Sequence, residues 1–406
     1  MRWILPLVFY ILIDIYAFQA LKTVTDNKWI HYAYLALSLL VLGNVFYQTL
    51  TPSEVRLSSA RSYAFGLLLA LVVPKLLIVI FMFGEDVLRG IVSVYERFVG
   101  GEDRLTLPSR RKFVSTLALT VAAIPFASLL YGMYRGKYNF RVLEYELTFP
   151  DLPDAFDGYQ ITQISDIHSG SFDNFKEIEY AVNLINEQGS DAILFTGDLV
   201  NNKAEEMNPW KELFGQLTAS DGVYSVLGNH DYGDYVSWES QQAKERNLED
   251  LKSLQREMGW DLLLNEHRYI ERQGDRLALV GVENWGAGGF KKKGDLDRAV
   301  EPLHPDDFTI LLSHDPSHWK EKVQSHPKKV HLTLSGHTHG MQFGIEIPGW
   351  IKWSPVQYRY EHWAGIYSDS EQFINVNRGL GFLGYPGRVG IWPEISVIRL
   401  KKSGKA

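Results

Sequence analysis

The chain contains no cysteine. Disulfides, thiolate nucleophiles and cysteine-based zinc sites are therefore excluded, and any metal must be held by His, Asp, Glu or Asn. The same absence leaves the redox compartment open, because a thiol-free chain suits either side of a membrane. Surplus basic charge is lacking too. Lys and Arg number 41 against 48 Asp and Glu, a net charge of -7, so nothing in the total points to nucleic acid as a partner. No internal repeat and no low-complexity linker interrupts the 406 residues, a length that suggests two parts.

What is present divides sharply. Residues 1–140 hold four apolar runs, near 3–21, 30–49, 63–84 and 113–133. Each has the roughly 20 residues that a helix needs to cross about 30 Å of hydrocarbon. Four in succession, separated by short charged loops, predict a multi-pass membrane domain in a lipid bilayer. The first run lacks a small-residue cleavage site and leads into a second span, so it reads as an anchor and not a removed signal peptide. Asp14 and Lys75 fall inside spans, where a charge serves a function or faces the bundle interior.

Lys and Arg in the loops orient the bundle. Lys22, Lys28, Arg89, Arg97, Arg104, Arg110, Arg111 and Lys112 outnumber Arg2, Arg56, Arg61, Arg135, Lys137 and Arg141 on the other side. The loop 85–112 is thus expected in the cytoplasm and everything after about 133 outside it. The stretch Ser109-Arg110-Arg111-Lys112-Phe113-Val114 also resembles a twin-arginine export signal, with Val where Leu is usual. That resemblance adds a twin-arginine translocase as an expected partner.

Residues 141–406 read as a soluble α/β domain. Strand-like apolar runs cover 161–165, 192–196, 223–227, 309–312 and 331–335. Helical faces recur at 174–188, through Phe175, Ile178, Val182 and Ile185, and at 237–258, through Leu248, Leu251 and Leu254. Gln273-Gly274-Asp275 signals a hairpin. Early strands alternate with helices and later ones come as hairpins, a pattern that predicts two packed sheets with helices outside. Each apolar run ends in chemistry: Asp166 and His168, Asp198, Asn229 and His230, His314, and finally His337 and His339. The carboxyl ends of strands are where α/β folds keep their sites. If the backbone at HLTLSGHTHG (331–340) is extended, His337 and His339 project from one face, with Gly336 and Gly340 easing the close turn.

In order, the chain gives D-x-H (166, 168), G-D (197, 198), G-N-H-D (228–231), S-H-D (313–315) and G-H-T-H-G (336–340). This set resembles the calcineurin-like metallophosphoesterase family, in its membrane-anchored bacterial branch, across essentially all of 155–400. The resemblance implies a four-layer sandwich, two packed mixed β-sheets flanked by helices. It also implies two divalent metal ions, Mn, Fe, Zn or Co. Asp166, His168 and His339 would hold one, Asn229, His314 and His337 the other, with Asp198 bridging. A metal-bridging hydroxide would attack a phosphodiester or phospholipid-like substrate, with His230 as general acid and Asp231 orienting its ring. Imidazole and carboxylate suit such ions, and the missing sulfur argues against Cu(I).

Other positions stay open on the residues alone. Arg378, between Asn377 and Gly379, could clamp a phosphate bidentately or cap a loop. Asp315 reads as a turn residue, Asn201 stands where many relatives carry Asp, and Met341 replaces a usual Gly and is expected to narrow the site. Trp350, Trp353, Tyr358, Tyr360 and Trp363 crowd one stretch, as packing or as a lipid-facing rim. Two alternatives accompany the phosphodiesterase reading. One is a cytoplasmic-facing pyrophosphatase acting on a UDP-2,3-diacylglucosamine-type lipid. The other is a non-catalytic scaffold, which would be expected to lose ligands, and none is lost here.

Overall fold

A computed structural model describes residues 4–51, 58–99, 108–347 and 349–403. Arg2, Arg56 and Arg104 of the charge argument lie outside the described residues, as does the side chain of Ser109. The chain divides into two compact units, one ending at Tyr134 and the other running on from Arg135.

The first unit is four helices, α1 (Ile4–Val24), α2 (Lys28–Leu50), α3 (Ser59–Val99) and α4 (Pro108–Tyr134). All four are long and apolar enough to cross a membrane. Asn27 starts α2 by accepting the Trp29 N–H, a side-chain cap for an otherwise unpaired donor. The two charges inside the spans answer each other: the Lys75 ammonium is 2.6 Å from Asp14 and 2.7 Å from the Ser38 hydroxyl. Either charge alone at that depth would cost roughly 2.5–3.5 kcal/mol. The expected loop at 85–99 is instead a continuation of α3. No proline interrupts it, and its acidic residues find cations: Arg111 lies 2.6 Å from Glu85 and also pairs with Asp86, which takes Arg89 at 2.7 Å. The second arginine of the twin pair is thereby part of a folded ion-pair cluster.

The second unit carries fourteen strands in three sheets among its described residues. In chain order they are β1 (Arg141–Phe149), β2 (Gln160–Ile164), β3 (Ala192–Phe195), β4 (Val223–Ser225), β5 (Asp261–Leu262), β6 (Glu266–Arg272), β7 (Asp275–Gly281), β8 (Thr309–Leu312), β9 (Leu332–Ser335), β10 (Ile345–Ile347), β11 (Ile351–Trp353), β12 (Gly365–Asp369), β13 (Gln372–Val376) and β14 (Glu394–Lys402). One sheet runs β1-β14-β2-β3-β4-β5 and a second runs β12-β13-β9-β8-β7-β6, both mixed. β10 and β11 form a separate two-stranded ribbon.

Side-chain alternation explains the layering. Leu194 of β3 turns inward to a core shared with Leu279 of β7, Ile310 of β8, Leu332 of β9 and Ile398 of β14. Its neighbours Ile193 and Phe195 turn outward, against Ile178, Val182 and Ile185 of helix α5 (Phe175–Asn186). On the far side Val280 and Leu311 pack against Leu296, Ala299 and Val300 of a short helix at Leu296–Val300. Helix, sheet, sheet and helix make the four layers that the family resemblance implies. Burial on both faces is why the central strands read as continuous apolar runs.

Candidate metal centre

β2, β3, β4, β8 and β9 all deliver their following loops to one place. Asp166 and His168 leave β2, Asp198 leaves β3, Asn229 and His230 leave β4, His314 leaves β8, and His337 and His339 leave β9. Five of these residues hold positive φ: Asp166 at 49°, His168 at 48°, Asp198 at 61°, His337 at 72° and His339 at 51°. Each such residue costs on the order of 1 kcal/mol and persists only where the surroundings over-determine it. Here the loops lock one another: the Asp166 amide donates to the Gly197 carbonyl at 2.9 Å and the His168 amide to Asp198 at 3.1 Å. Two glycines make the close approach possible. A Cβ at Gly228 would stand 2.2 Å from Asp198 Oδ1, and one at Gly336 would stand 2.2 Å from Asp166 Oδ2.

The structure gathers two groups of ligand-type side chains, Asp166 with His168 and His339, and Asp198 with His314 and His337, each within 4.8 Å. In the first, His339 Nε2 is 3.0 Å from His168 Nε2 and 3.2 Å from Asp166 Oδ1. In the second, His314 Nε2 is 3.1 Å from Asp198 Oδ2, an oxygen that also stands 3.6 Å from His168 Nε2 of the first group. Asn229 Oδ1 adjoins the second group, 2.8 Å from His337 Nδ1. The extended backbone expected through 337–339 is not observed. Because both histidines are left-handed and Thr338 between them is right-handed, the two rings serve separate groups.

This donor set fits divalent cations. His314 Nδ1 donates to the Thr196 carbonyl at 2.8 Å, which turns Nε2 to Asp198 Oδ2; burial lowers the pKa of this ring, but the Asp198 carboxylate outweighs it and pushes it up to about 10, a proton that a bound cation would replace. Burial pushes the Asp166 and Asp198 carboxyls up, but the surrounding imidazoles outweigh it and hold both below the ordinary carboxylate range. Burial also pushes the His168 ring well down, to the neutral form that ligates a metal.

His230 stands at the edge, its ring centroid 4.9 Å from that of His168. Nδ1 is 2.8 Å from the Asn201 carbonyl, an acceptor only, so Nδ1 carries the proton and Nε2 is free to face a substrate. The expectation that Asp231 orients this ring is corrected. Asp231 is buried and its carboxylate accepts four backbone N–H groups, from Asp198, Leu199, Val200 and Gly228. Burial and the Asp198 charge push that carboxyl up to about 7. Asp231 ties the β3 loop to the β4 loop, and the Asn201 main chain orients His230.

Arg378 is corrected as well. Its buried guanidinium is held by Glu394 and, at 2.5 Å, by Glu346, so two carboxylates already occupy the fork expected for a phosphate. Three residues join the site unexpectedly. Asp315 is a turn residue, bonding the Ser317 amide, yet its Oδ2 also lies 3.3 Å from His337 Nε2. The Tyr360 hydroxyl is 2.8 Å from the same nitrogen. Arg388, fully buried, donates to the carbonyls of Arg378, Gly379 and Gly381 and reaches within 3.3 Å of His339 Nδ1. Asp315 directly follows His314 in the sequence and Tyr360 belongs to the aromatic stretch 350–363, whereas Arg388 carries no local signal. Met341 takes φ of 53° and is exposed. Tyr360 also lines a cleft of about 410 Å³ with Ser317, Lys320, Arg359 and His362.

Residues 1–137 match a family described as probable calcineurin-like phosphoesterase, transmembrane domain, and residues 159–341 match calcineurin-like phosphoesterase. A "Transmembrane protein with metallophosphoesterase domain" of Danio rerio is 28% identical over 336 residues, spanning 81% of this chain and 71% of its own. An uncharacterized metallophosphoesterase of Helicobacter pylori (strain J99) is 26% identical over 404 residues, 97% of each chain. The "Uncharacterized metallophosphoesterase YkuE" of Bacillus subtilis is 30% identical over 301 residues, 73% of this chain and 98% of that one. With its ligand groups, its layered fold and these matches, the chain belongs to the calcineurin-like phosphoesterases, as a metal-dependent phosphoesterase carried on a four-helix transmembrane domain.

Proposed function

We propose that the protein is a membrane-anchored dinuclear phosphodiesterase whose catalytic unit lies outside the cytoplasm. The observation that supports two ions is Asp198 Oδ2, a single carboxylate oxygen 3.1 Å from His314 of one group and 3.6 Å from His168 of the other. Asp166, His168 and His339 would hold one ion, Asn229, His314 and His337 the second, and Asp198 both. Two such ions supply Lewis-acid activation of a phosphoryl oxygen and of water at neutral pH.

The remaining chemistry belongs to the chain. His230 keeps its Nδ1 proton on the Asn201 carbonyl and, as imidazolium, gives its Nε2 proton to the departing alkoxide. Tyr360 connects the His337 ring to the cleft beside it, which Ser317, Arg359 and His362 line together with the Lys320–Glu361 ion pair. Mn²⁺ is the first ion to try, since imidazole and carboxylate donors without sulfur suit it.

Metal analysis of the purified full chain tests the reading. Two divalent ions per chain are expected, with loss of bis(p-nitrophenyl) phosphate hydrolysis on chelation and recovery with Mn²⁺. Asp198→Ala should deplete both ions together. One ion or none in fully active wild-type protein would overturn the dinuclear site, and faster turnover of monoesters than diesters would overturn the substrate class.

A further inference from the structure

The β10–β11 ribbon is built inside out for a surface that faces water. Successive residues of a strand point to opposite faces. The register sets Ile345 opposite Trp353, Glu346 opposite Lys352 and Ile347 opposite Ile351. One face is therefore Glu346 and Lys352, and the other is Ile345, Ile347, Ile351 and Trp353. An ordinary surface ribbon turns its apolar face to the core and its polar face out.

Here the charged face is the one that bonds back to the rest of the unit, although Lys352 stays partly open to solvent. Glu346 takes Arg378 at 2.5 Å. The Lys352 ammonium donates to the Ala364 carbonyl and sits 5.2 and 5.3 Å from the Trp363 and Tyr367 rings. The apolar face is left open, with Ile345 52% exposed, Ile347 42% and Trp350 of the turn 77%. Tyr358, 80% exposed, follows on the same stretch, and Met341 precedes it. Single exposed apolar residues need no explanation, but a ribbon face on which Ile345, Ile347 and Trp353 are all exposed, beside Trp350, marks a contact surface.

Two facts select the occupant. The chain brings its own bilayer: only residues 135–140 join the end of α4 to the start of β1. At about 3.5 Å per residue that link spans about 20 Å at most, so β1 begins within that reach of the end of α4. The side chains also have the right chemistry, since Trp and Tyr favour the headgroup level and aliphatic residues the acyl boundary beneath it.

We propose that the β10–β11 ribbon is a lipid-docking edge that seats Ile345, Ile347, Trp350 and Trp353 in the headgroup layer of the chain's own membrane. The ribbon runs between the His339–Gln342 turn and Tyr360, so docking sets the rim of the metal centre against the lipid surface. Resting on the phosphoesterase reading above, the substrate is then a phosphoester headgroup of a membrane lipid.

The cysteine-free sequence makes the test clean, because one introduced thiol is the only labelling site. Ile347→Cys and Trp350→Cys, each carrying a nitroxide, are compared with Gln241→Cys at the exposed start of the Gln241–Glu257 helix. The full chain is reconstituted into vesicles of phosphatidylcholine and phosphatidylglycerol. Oxygen should collide with the labels at 347 and 350 more often than a water-soluble nickel chelate does, at a depth on the order of 5–10 Å, with the reverse at 241. Labels at 347 and 350 that behave like 241 overturn the proposal. Labels shielded from both reagents also overturn it, in favour of a protein partner or second copy. Both surface variants read the same ribbon, so misfolding of one leaves the other decisive. Insertion is read without turnover, so loss of diester hydrolysis in unlabelled wild-type protein would strike the catalytic reading alone.

Discussion

His230 and Asp231 are adjacent, both polar and both close to the metal ligands, yet they do unlike work. The His230 ring has one nitrogen anchored on a carbonyl and one free, as a proton donor needs. His230→Asn should leave metal content intact and lower turnover about 10²–10⁴-fold, with the larger loss for poor leaving groups. Equal losses for nitrophenolate and alkoxide esters would sink the acid role. Asp231 spends its carboxylate on four amides of two loops. Asp231→Asn puts an NH₂ against one or more of those N–H groups, so it should cost roughly 1–3 kcal/mol of stability. Thermal unfolding and metal content should both fall; an unchanged melting temperature with turnover alone reduced would show a direct catalytic part.

At the scale of single elements, the turn after β8 stores a pH response. His318 is buried there with Nδ1 2.8 Å from the Ser313 hydroxyl, and burial pushes its ring down to about 4 from 6.5. Between those values the unfolded chain binds a proton that the folded chain refuses. Its contribution is whole above about 6.5 and declines as pH falls towards 4, by on the order of 3 kcal/mol. His318→Gln should therefore flatten the acid limb of a melting-temperature profile in that window, and an identical limb in variant and wild type would remove His318 as its source. α3 shows a different element-scale effect. Its polar end reads as a loop because charge replaces apolar character at 85, but here the charges are paired and the helix runs on through Gly90 with no proline after Pro74.

For the whole molecule, the side of the membrane on which the metal centre lies decides which substrates reach it. The loop charges and the Arg110-Arg111 pair are the grounds on which we propose that it lies outside the cytoplasm. Arg110→Lys with Arg111→Lys preserves charge, including a cation beside Glu85 and Asp86, and so separates an export signal from an ion-pair role. In bacterial spheroplasts, added protease should digest the catalytic unit of the wild type and spare it in the double variant. Digestion in both would make Arg111 purely structural. Protection in both would place the site in the cytoplasm and bring forward the UDP-2,3-diacylglucosamine-type lipid pyrophosphatase.

Four spans, the alternation of strands with helices and the order of the metal motifs were all legible in the residues, because each is a local property. Hydropathy over about 20 residues decides a span, and each motif sits directly after its own apolar run. The partners of Arg378, Asp231 and Tyr360 were not legible. Arg378 is claimed by Glu346, 32 positions away, and His337 meets Tyr360, 23 positions away. Such contacts are created by strand order and loop geometry and leave no trace in spacing. The ribbon at 345–353 marks the same boundary. Alternation alone says that it has one charged face and one apolar face; only packing decides which of them bonds back to the rest of the unit, and Arg378 and Ala364 hold the charged one.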